Sequence, residues 1–273
     1  VRSIFVRAGH LLGARVESVT QISGGSLSSV SRLGLVGGGT AIAKTGSLVA
    51  MEATMLEAVR GRGVPTPTIL AMEAELLILE DLPAAGQLAR AWAQLADVLD
   101  HLHMPTGNPY GWDGDYAFGN VAIPNGRKSS WVEFWGDNRL RCHLPHVDRH
   151  LGDRLEELVR RLGDFLPDHP PAVLLHGDLW GGNILVNDVS ISGLIDPAAY
   201  YGHREVDLAM LSLFDHPPVA FFEACGLEEG WRERQPIYRL IVSSTPQEQF
   251  TSVGKLCGVN QLYRDCRPVI LWR

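Results

Sequence analysis

The chain has 273 residues, 45% of them hydrophobic and 20% charged, with a formal net charge of −7. That is ordinary globular composition, long enough for one large domain or two lobes with separate cores. The acidic balance argues against nucleic acid as a partner. No apolar run approaches the roughly 18 residues that span a bilayer, so no membrane partner is expected.

Val1–Gly13 holds two arginines and no apolar stretch followed by a small-residue cleavage site, so no signal peptide is predicted. Cys142, Cys225, Cys257 and Cys266 form no C-x-x-C pair. Sparse, unpatterned thiols fit a reducing cytoplasm.

Through residue 80 the pattern predicts strands around one helix. Val16–Ile22 reads as a strand and runs into Ser23-Gly24-Gly25-Ser26. Ser28–Leu35 alternates loosely, Gly37–Gly39 is a turn, and Thr40–Lys44 is a short strand ending in a lysine. Leu48–Arg60 places Leu48, Met51, Met55, Leu56 and Val59 on one helical face. Thr68–Met72 and Leu76–Leu79 are two further strands. Glu80-Asp81-Leu82-Pro83 then reads as a hinge, and the pattern turns helical. Leu88, Trp92, Leu95, Leu99 and Leu102 predict an amphipathic helix, as do Leu151, Leu155, Leu158, Val159 and Leu162. Met104–Leu144, rich in Gly, Pro, Asn and aromatics, is too long for a mere connection. Ala172–Leu175 is a strand, Ile184–Val186 and Ile191–Ile195 form a hairpin, and Glu205–Phe214 is a helix.

The chemistry-bearing string is His176-Gly-Asp-Leu-Trp-Gly-Gly-Asn183, with Asp178 five residues before Asn183 and Asp196 thirteen residues later. Oxygen donors at loop and strand ends suit Mg2+, which takes one or two protein carboxylates or amides beside phosphates and water. Phosphoryl transfer needs such an ion and a carboxylate to receive a hydroxyl proton. An aspartate base, four residues, then a metal-binding asparagine is the spacing of a kinase catalytic loop. Lys44 and Glu52, eight residues apart, fit a phosphate-binding lysine held by a helix carboxylate, with Glu57 as a competitor for the pairing. Ser23–Ser26, including Gly24 and Gly25, is either a phosphate cradle or an ordinary hairpin turn.

Leu174-Leu-His-Gly-Asp-Leu-Trp-Gly-Gly-Asn183, followed by Leu194-Ile-Asp-Pro-Ala-Ala-Tyr-Tyr-Gly-His-Arg-Glu-Val-Asp-Leu-Ala-Met210, closely resembles the fructosamine/ketosamine kinase family. That family belongs to the aminoglycoside-phosphotransferase and protein-kinase-like superfamily. The likeness extends back through Phe118-Gly-Asn120, Trp131-x-x-Phe134, Leu77–Leu82 and Glu52–Val59, and covers roughly residues 8 to 240. It implies an α+β, two-lobed protein-kinase-like fold: a small antiparallel-sheet lobe with hinge over 1–82 and a larger, mainly helical lobe over 83–273. Within the latter, 241–273 departs from the family by being polar and weakly periodic.

The resemblance implies an ATP- and Mg2+-dependent kinase acting on a sugar hydroxyl of small-molecule or protein-bound ketosamines, with a role in protein deglycation. Asp178 would be the base, Asn183 and Asp196 the metal ligands, and Lys44 with Glu52 the phosphate clamp. Gly24 and Gly25 would lie at the nucleotide, and Glu80, Asp81 and Leu82 at adenine. Trp180 and Tyr201 would face the sugar, Trp180 having packing as its alternative role. His176, Arg204 and Asp207 would support the site. An aminoglycoside kinase and a non-catalytic nucleotide-binding homologue are the competing readings. The short span from Asp196 to Asp207 leaves no room for a protein-kinase activation loop.

Overall fold

The computed structural model describes residues 2–22, 29–118 and 121–240. In chain order these form α1 (Arg2–Leu12), β1 (Val16–Ile22), β2 (Ser29–Leu35), β3 (Thr40–Thr45), α2 (Val49–Arg60), β4 (Ile69–Glu73), β5 (Leu76–Glu80), α3 (Trp92–Leu102), β6 (Tyr116–Phe118) and β7 (Val121–Ile123). There follow α4 (Trp131–Trp135), α5 (Arg149–Arg160), β8 (Val173–Leu175), β9 (Ile184–Asn187), β10 (Ser190–Leu194), β11 (Tyr200–Gly202), α6 (Glu205–Phe214), α7 (Val219–Ala224) and α8 (Trp231–Tyr238). The expected α+β class is what the chain adopts. Residues 24 and 25 of the glycine/serine loop, residues 119–120 and the tail 241–273 lie outside the described residues.

Packing groups the chain into two compact units that are not continuous in sequence. The first holds Val1–Leu102 with Gly181–Ala198; the second holds His103–Trp180 and the described chain from Ala199. The expected boundary at residues 82 and 83 follows the hinge, whereas the compact units follow contacts. The β9–β10 hairpin bonds back to the first unit through Leu194 N to Pro65 O at 2.8 Å and Gly86 N to Val186 O at 2.7 Å. Ile191 N also donates to the Gln94 side chain on α3.

The first unit is built on a fully antiparallel sheet in the order β1-β2-β3-β5-β4. Alternation along β3 sends Ala41 and Ala43 to one face, where they are buried with Ala8, Val16, Leu33, Leu76 and Ile78. Ile42 packs on the opposite side with Val49, Ala53 and Leu56 of α2 and with Leu77 and Leu79. Helix α1 departs from the sequence expectation, which placed no helix before β1. Its sequence does carry a helical apolar spacing, at Ile4, Ala8, Leu11 and Leu12, and it buries Ala8, with Leu11 and Leu12 beside it, against the sheet. The predicted helix through Leu88 is also divided: Leu88–Arg90 forms one 3-10 turn, and α3 begins only at Trp92.

The second unit centres on an aromatic core. Trp131 and Phe134 are fully buried and join Tyr110, Trp135, Tyr200 and Tyr238, with Leu140, Leu162 and Leu175 filling between them. The Met104–Leu144 segment therefore supplies much of this core. Burying so much ring area places Nε1–H and O–H groups inside, where they need partners. Trp131 Nε1 donates to Tyr238 Oη at 2.9 Å, and Tyr238 Oη lies 2.7 Å from His203 Nδ1. Since indole can only donate, the tyrosine proton points to His203, which accepts as a neutral ring. Burial, followed by the nearby Arg234 and Arg204 charges, pushes His203 down to about 3. Burial, with His146 and Arg139, pushes His143 down to about 4.

Tyr238→Phe leaves the buried Trp131 N–H and His203 Nδ1 without this hydroxyl, and urea unfolding should show a loss of about 1–3 kcal/mol; a change under 0.3 kcal/mol would count against the relay. Both histidines titrate lower in the folded chain than the roughly 6.5 of an unfolded one, so the unfolded state binds protons first as the pH drops. Their stabilising contribution is present above about pH 6.5 and is lost progressively as the pH falls towards about 4 and 3. The urea midpoint should fall from pH 7 to pH 4.5; a flat profile in that window contradicts the assignment.

Candidate functional site

Lys44 reaches the interior because β3 alternates: two positions after Ile42, it shares the strand face that looks towards α2. In the sheet it pairs with Val30 on β2 and Leu77 on β5, so its backbone is fixed from both sides. Glu52 lies in the first turn of α2 and is 5% exposed. Lys44 Nζ donates to Glu52 Oε1 at 2.5 Å and to Asp196 Oδ1 at 2.7 Å. Of the two helix glutamates, Glu52 is thus the one that meets the lysine. Burial works against the Lys44 charge, but the two carboxylates outweigh it and hold the ammonium above the usual lysine range. Burial pushes Glu52 upward while Lys44 pulls it back. With two anions against one cation at these distances, we take the ammonium as the firmly charged partner.

Asn183 and Asp196 come together through the β9–β10 hairpin. Leu194 pairs with Ile184 at its base, and Ile195 N donates to Asn183 O at 3.0 Å. Asn183 is buried, whereas the Asp196 side chain keeps 44% of its exposure. Asp196 also sits at φ 55°, a left-handed conformation that aspartate tolerates better than most residues but still at a cost of about 1–2 kcal/mol. Strain held just before a proline and beside a buried ion pair is typical of functional positions.

The hinge residues belong to this same unit. Glu80 accepts from Thr68 N at 3.1 Å and Thr68 Oγ1 at 2.7 Å, bonds that hold its carboxyl below the usual range. Asp81 forms a two-point ion pair with Arg32 of β2, Nε to Oδ2 at 2.7 Å and Nη2 to Oδ1 at 3.1 Å. Leu82 lies against Gly193, where a Cβ would come within 2.4 Å of Leu82 Cδ1; the glycine is what lets the hinge approach the hairpin so closely. Arg32 carried no sequence signal, because its partner lies 49 residues away.

In the second unit, β8 leads into His176, Gly177 and Asp178, and Asp207 of α6 holds this turn. Asp207 is fully buried; its Oδ2 accepts from His176 N at 2.8 Å and its Oδ1 from Gly177 N at 2.9 Å. Burial raises the Asp207 carboxyl, yet His103, His176 and the Gly177 N–H more than reverse this and hold it below the usual carboxylate range. Gly177 takes φ 80°, which a side chain would resist, so the chain turns sharply one residue before Asp178. Asp178 N donates to His176 Nδ1 at 3.3 Å, which makes His176 part of the turn's bracing. Arg204 acts one step further out: its Nη2 donates to Cys225 O at 2.7 Å, tying the start of α6 to the end of α7.

The two aromatic candidates also lie in the second unit. Trp180 is 36% exposed and packs against Phe214, ring centroids 5.7 Å apart. Tyr201 of β11 pairs with Leu174 and bridges to Gly111; its half-buried ring lies 5.6 Å from Trp112 and under the Arg127 guanidinium at 5.7 Å. Arg127 was not singled out by spacing, since it is brought to Tyr201 only by folding.

Among the described residues, no group of three or more His, Cys, Asp or Glu side chains can hold a metal unaided. The donors at the hairpin end, one amide and one half-exposed carboxylate, fit an ion that keeps most of its coordination for water and phosphate oxygens, as Mg2+ does.

A family model described as fructosamine kinase matches residues 40–252. A probable ketoamine kinase of Klebsiella aerogenes is 30% identical over 250 residues, covering 85% of this chain and 86% of that protein. The probable ketoamine kinase slr1563 of Synechocystis sp. is 33% identical over 172 residues, 60% of this chain and 58% of that protein, so this second match spans less than two thirds of the relative's length. A crystal structure from Thermobifida fusca, assigned as a fructosamine-3-kinase, superposes with a TM-score of 0.79 at 28% identity, covering 88% of this chain and 90% of that one. The matched stretch contains Lys44, Glu52, Asp178, Asn183, Asp196 and Asp207, and the chain belongs to the fructosamine kinase family.

Proposed function

We propose that this chain is an ATP-dependent kinase that phosphorylates a sugar hydroxyl of ketosamines, free or attached to protein amines. The observation that carries the reading is the buried Lys44 ammonium clamped between Glu52 and Asp196, inside the stretch that matches the family. A lysine so held is a fixed positive charge for the phosphates of a nucleotide. The backbone of Glu80–Leu82, anchored by Thr68 and Arg32, supports adenine, and the loop with Gly24 and Gly25 supports the phosphates. Asn183 and Asp196 hold Mg2+, which when bound neutralises charge on the transferred phosphoryl group.

Asp178 accepts the proton of the sugar hydroxyl as that oxygen attacks, and the Asp207-braced turn keeps its carboxylate in place. Trp180 and Tyr201 offer exposed or half-exposed ring surface to the apolar face of a sugar. Phosphorylation of the adduct makes it unstable, so the role we propose is protein deglycation, in the cytoplasm.

Two outcomes test this. In a coupled ADP-release assay, a fructosyl-amine should be turned over in preference to kanamycin, and Asp178→Ala should lower kcat by about 100- to 10,000-fold while Mg-ATP binding by calorimetry persists. ADP release with the aminoglycoside alone would refute the ketosamine assignment. Lys44→Met should weaken nucleotide use and cost about 3 kcal/mol in urea unfolding, because Glu52 is left buried without its cation; an unchanged midpoint together with an unchanged KM for ATP would show that the clamp does neither job.

A further inference from the structure

We propose that Arg127 and Asp113 form a subsite for the amino-acid end of a free ketosamine, Arg127 taking the carrier's main-chain carboxylate and Asp113 its ammonium; this rests on the reading that the sugar lies on Tyr201. The Arg127 guanidinium stands over the Tyr201 ring at 5.7 Å, so a cation adjoins any sugar held there. Its Nε and Nη2 both donate to Asp113 Oδ1, at 2.9 and 2.7 Å. Both bonds end on one oxygen. Among the described residues, Asp113 Oδ2 and Arg127 Nη1 have no partner. A pair with one carboxylate oxygen and one N–H edge left over is the complement of an amino acid's own ammonium and carboxylate.

The backbone beneath the pair is fixed from several sides. Gly111 N donates to Tyr201 O at 2.9 Å, and Tyr201 N donates back to Gly111 O at 3.0 Å. On the other side of this segment, Tyr110 and Lys128 exchange two N–H···O bonds of 2.9 Å, and Trp112 N donates to Asn125 O at 2.9 Å. Gly111 takes φ 114°, and a Cβ there would come within 3.2 Å of Arg127 Cα; a glycine is what brings the two segments so close. The loop that carries Asp113 is pinned to the same place, since Asn125 N donates to Asp115 Oδ1 at 2.8 Å and Asn125 Nδ2 to Gly114 O at 3.0 Å. The two charges thus stand on a base arranged before any ligand arrives, which lowers the cost of binding one.

An ion pair as open as this one does little for stability. The Arg127 side chain is 31% exposed and the Asp113 side chain 83%, so a ligand reaches both charges without dismantling the fold. The pair, Trp112 and Tyr201 belong to the same unit as Asp178. Tyr201 pairs with Leu174 in the β8–β11 ladder, and Leu174 precedes Asp178 by four residues, a span of at most about 14 Å. A hexose joined to a lysine side chain is long enough to bridge a separation of that order, with its sugar hydroxyl at Asp178 and its main-chain charges at the pair. In a protein the same lysine has amide groups in place of both charges, so the subsite favours the free glycated amino acid.

The test uses three ketosamines: free Nε-fructosyl-lysine, the same compound with its amine acetylated and its carboxyl amidated, and fructosyl-aminohexanoate, which keeps a carboxylate but has no ammonium. ADP release gives kcat and KM, and calorimetry in the presence of a non-hydrolysable Mg-ATP analogue gives binding without turnover. The parent should prefer the free lysine compound over the capped one by at least about fivefold, chiefly through KM. Arg127→Gln should cut that preference at least about threefold while KM for ATP stays within about twofold. Asp113→Asn should lose at least about twofold more affinity for the lysine compound than for fructosyl-aminohexanoate, because only the former brings an ammonium.

A smaller preference in the parent, a smaller cut in Arg127→Gln, or an Asp113→Asn loss that is equal for the two compounds would each overturn the subsite. If Arg127→Gln does not fold, Arg127→Lys decides, since it keeps the charge without the planar fork: a reduced preference supports the subsite and an unchanged one refutes it. Turnover of all three compounds without discrimination refutes the subsite and leaves the kinase reading intact. Discrimination in binding with no turnover of any of them refutes the kinase reading and leaves the subsite standing. No binding of any of the three refutes the subsite.

Discussion

A single buried ammonium organises the first unit. Lys44 Nζ lies within 2.7 Å of two carboxylates that come from different parts of the chain, Glu52 on α2 and Asp196 after β10. An isolated charge in that interior would be lost to solvent or neutralised. The sheet can bury the lysine only because the helix and the hairpin each supply an anion. The requirement is mutual: Glu52 is equally buried and depends on the same cation. Helix α2, strand β3 and the β9–β10 hairpin are thereby constrained by one charge balance. That balance fixes a cation beside Asp196, the charge that the proposed function assigns to nucleotide phosphates.

The second unit solves a related problem with the signs reversed. Asp207 is a fully buried carboxylate that, among the described residues, pairs with no arginine or lysine. It is satisfied by two backbone N–H groups and one imidazole. Hydrogen bonds to the charged form hold its proton affinity down despite burial. Because two of those donors belong to His176 and Gly177, charge satisfaction and the shape of the turn before Asp178 are one and the same constraint. In the aromatic core, the Trp131–Tyr238–His203 relay gives Trp131 Nε1, Tyr238 Oη and His203 Nδ1 each a partner.

Much of this was readable in advance. The strands β1 to β5, helices α2 and α6 and the β9–β10 hairpin follow from alternation, helical periodicity and glycine punctuation, and they lie within a residue or two of the expected positions. Asp178, Asn183 and Asp196 stood out because their spacing is fixed by local backbone: one tight turn and one hairpin. Helix α1 was missed although its apolar positions Ile4, Ala8, Leu11 and Leu12 keep a helical spacing; Ala8, with Leu11 and Leu12 beside it, packs against the sheet. The division of the Leu88–Leu102 stretch at Ala91 was hidden because the apolar period continues across the break.

The sequence by itself determined the class of chemistry, because the residues to which we assign proton acceptance and the binding of metal and phosphate sit in short strings whose spacing survives any packing. Only the tertiary structure decided which partners those residues have. Lys44 meets Glu52 rather than Glu57, Arg32 meets Asp81 across 49 residues, and His103 meets Asp207 across 104. The physical reason is that burial makes an unpaired polar group costly, and the groups that can relieve that cost are chosen by proximity in space, which no local spacing encodes.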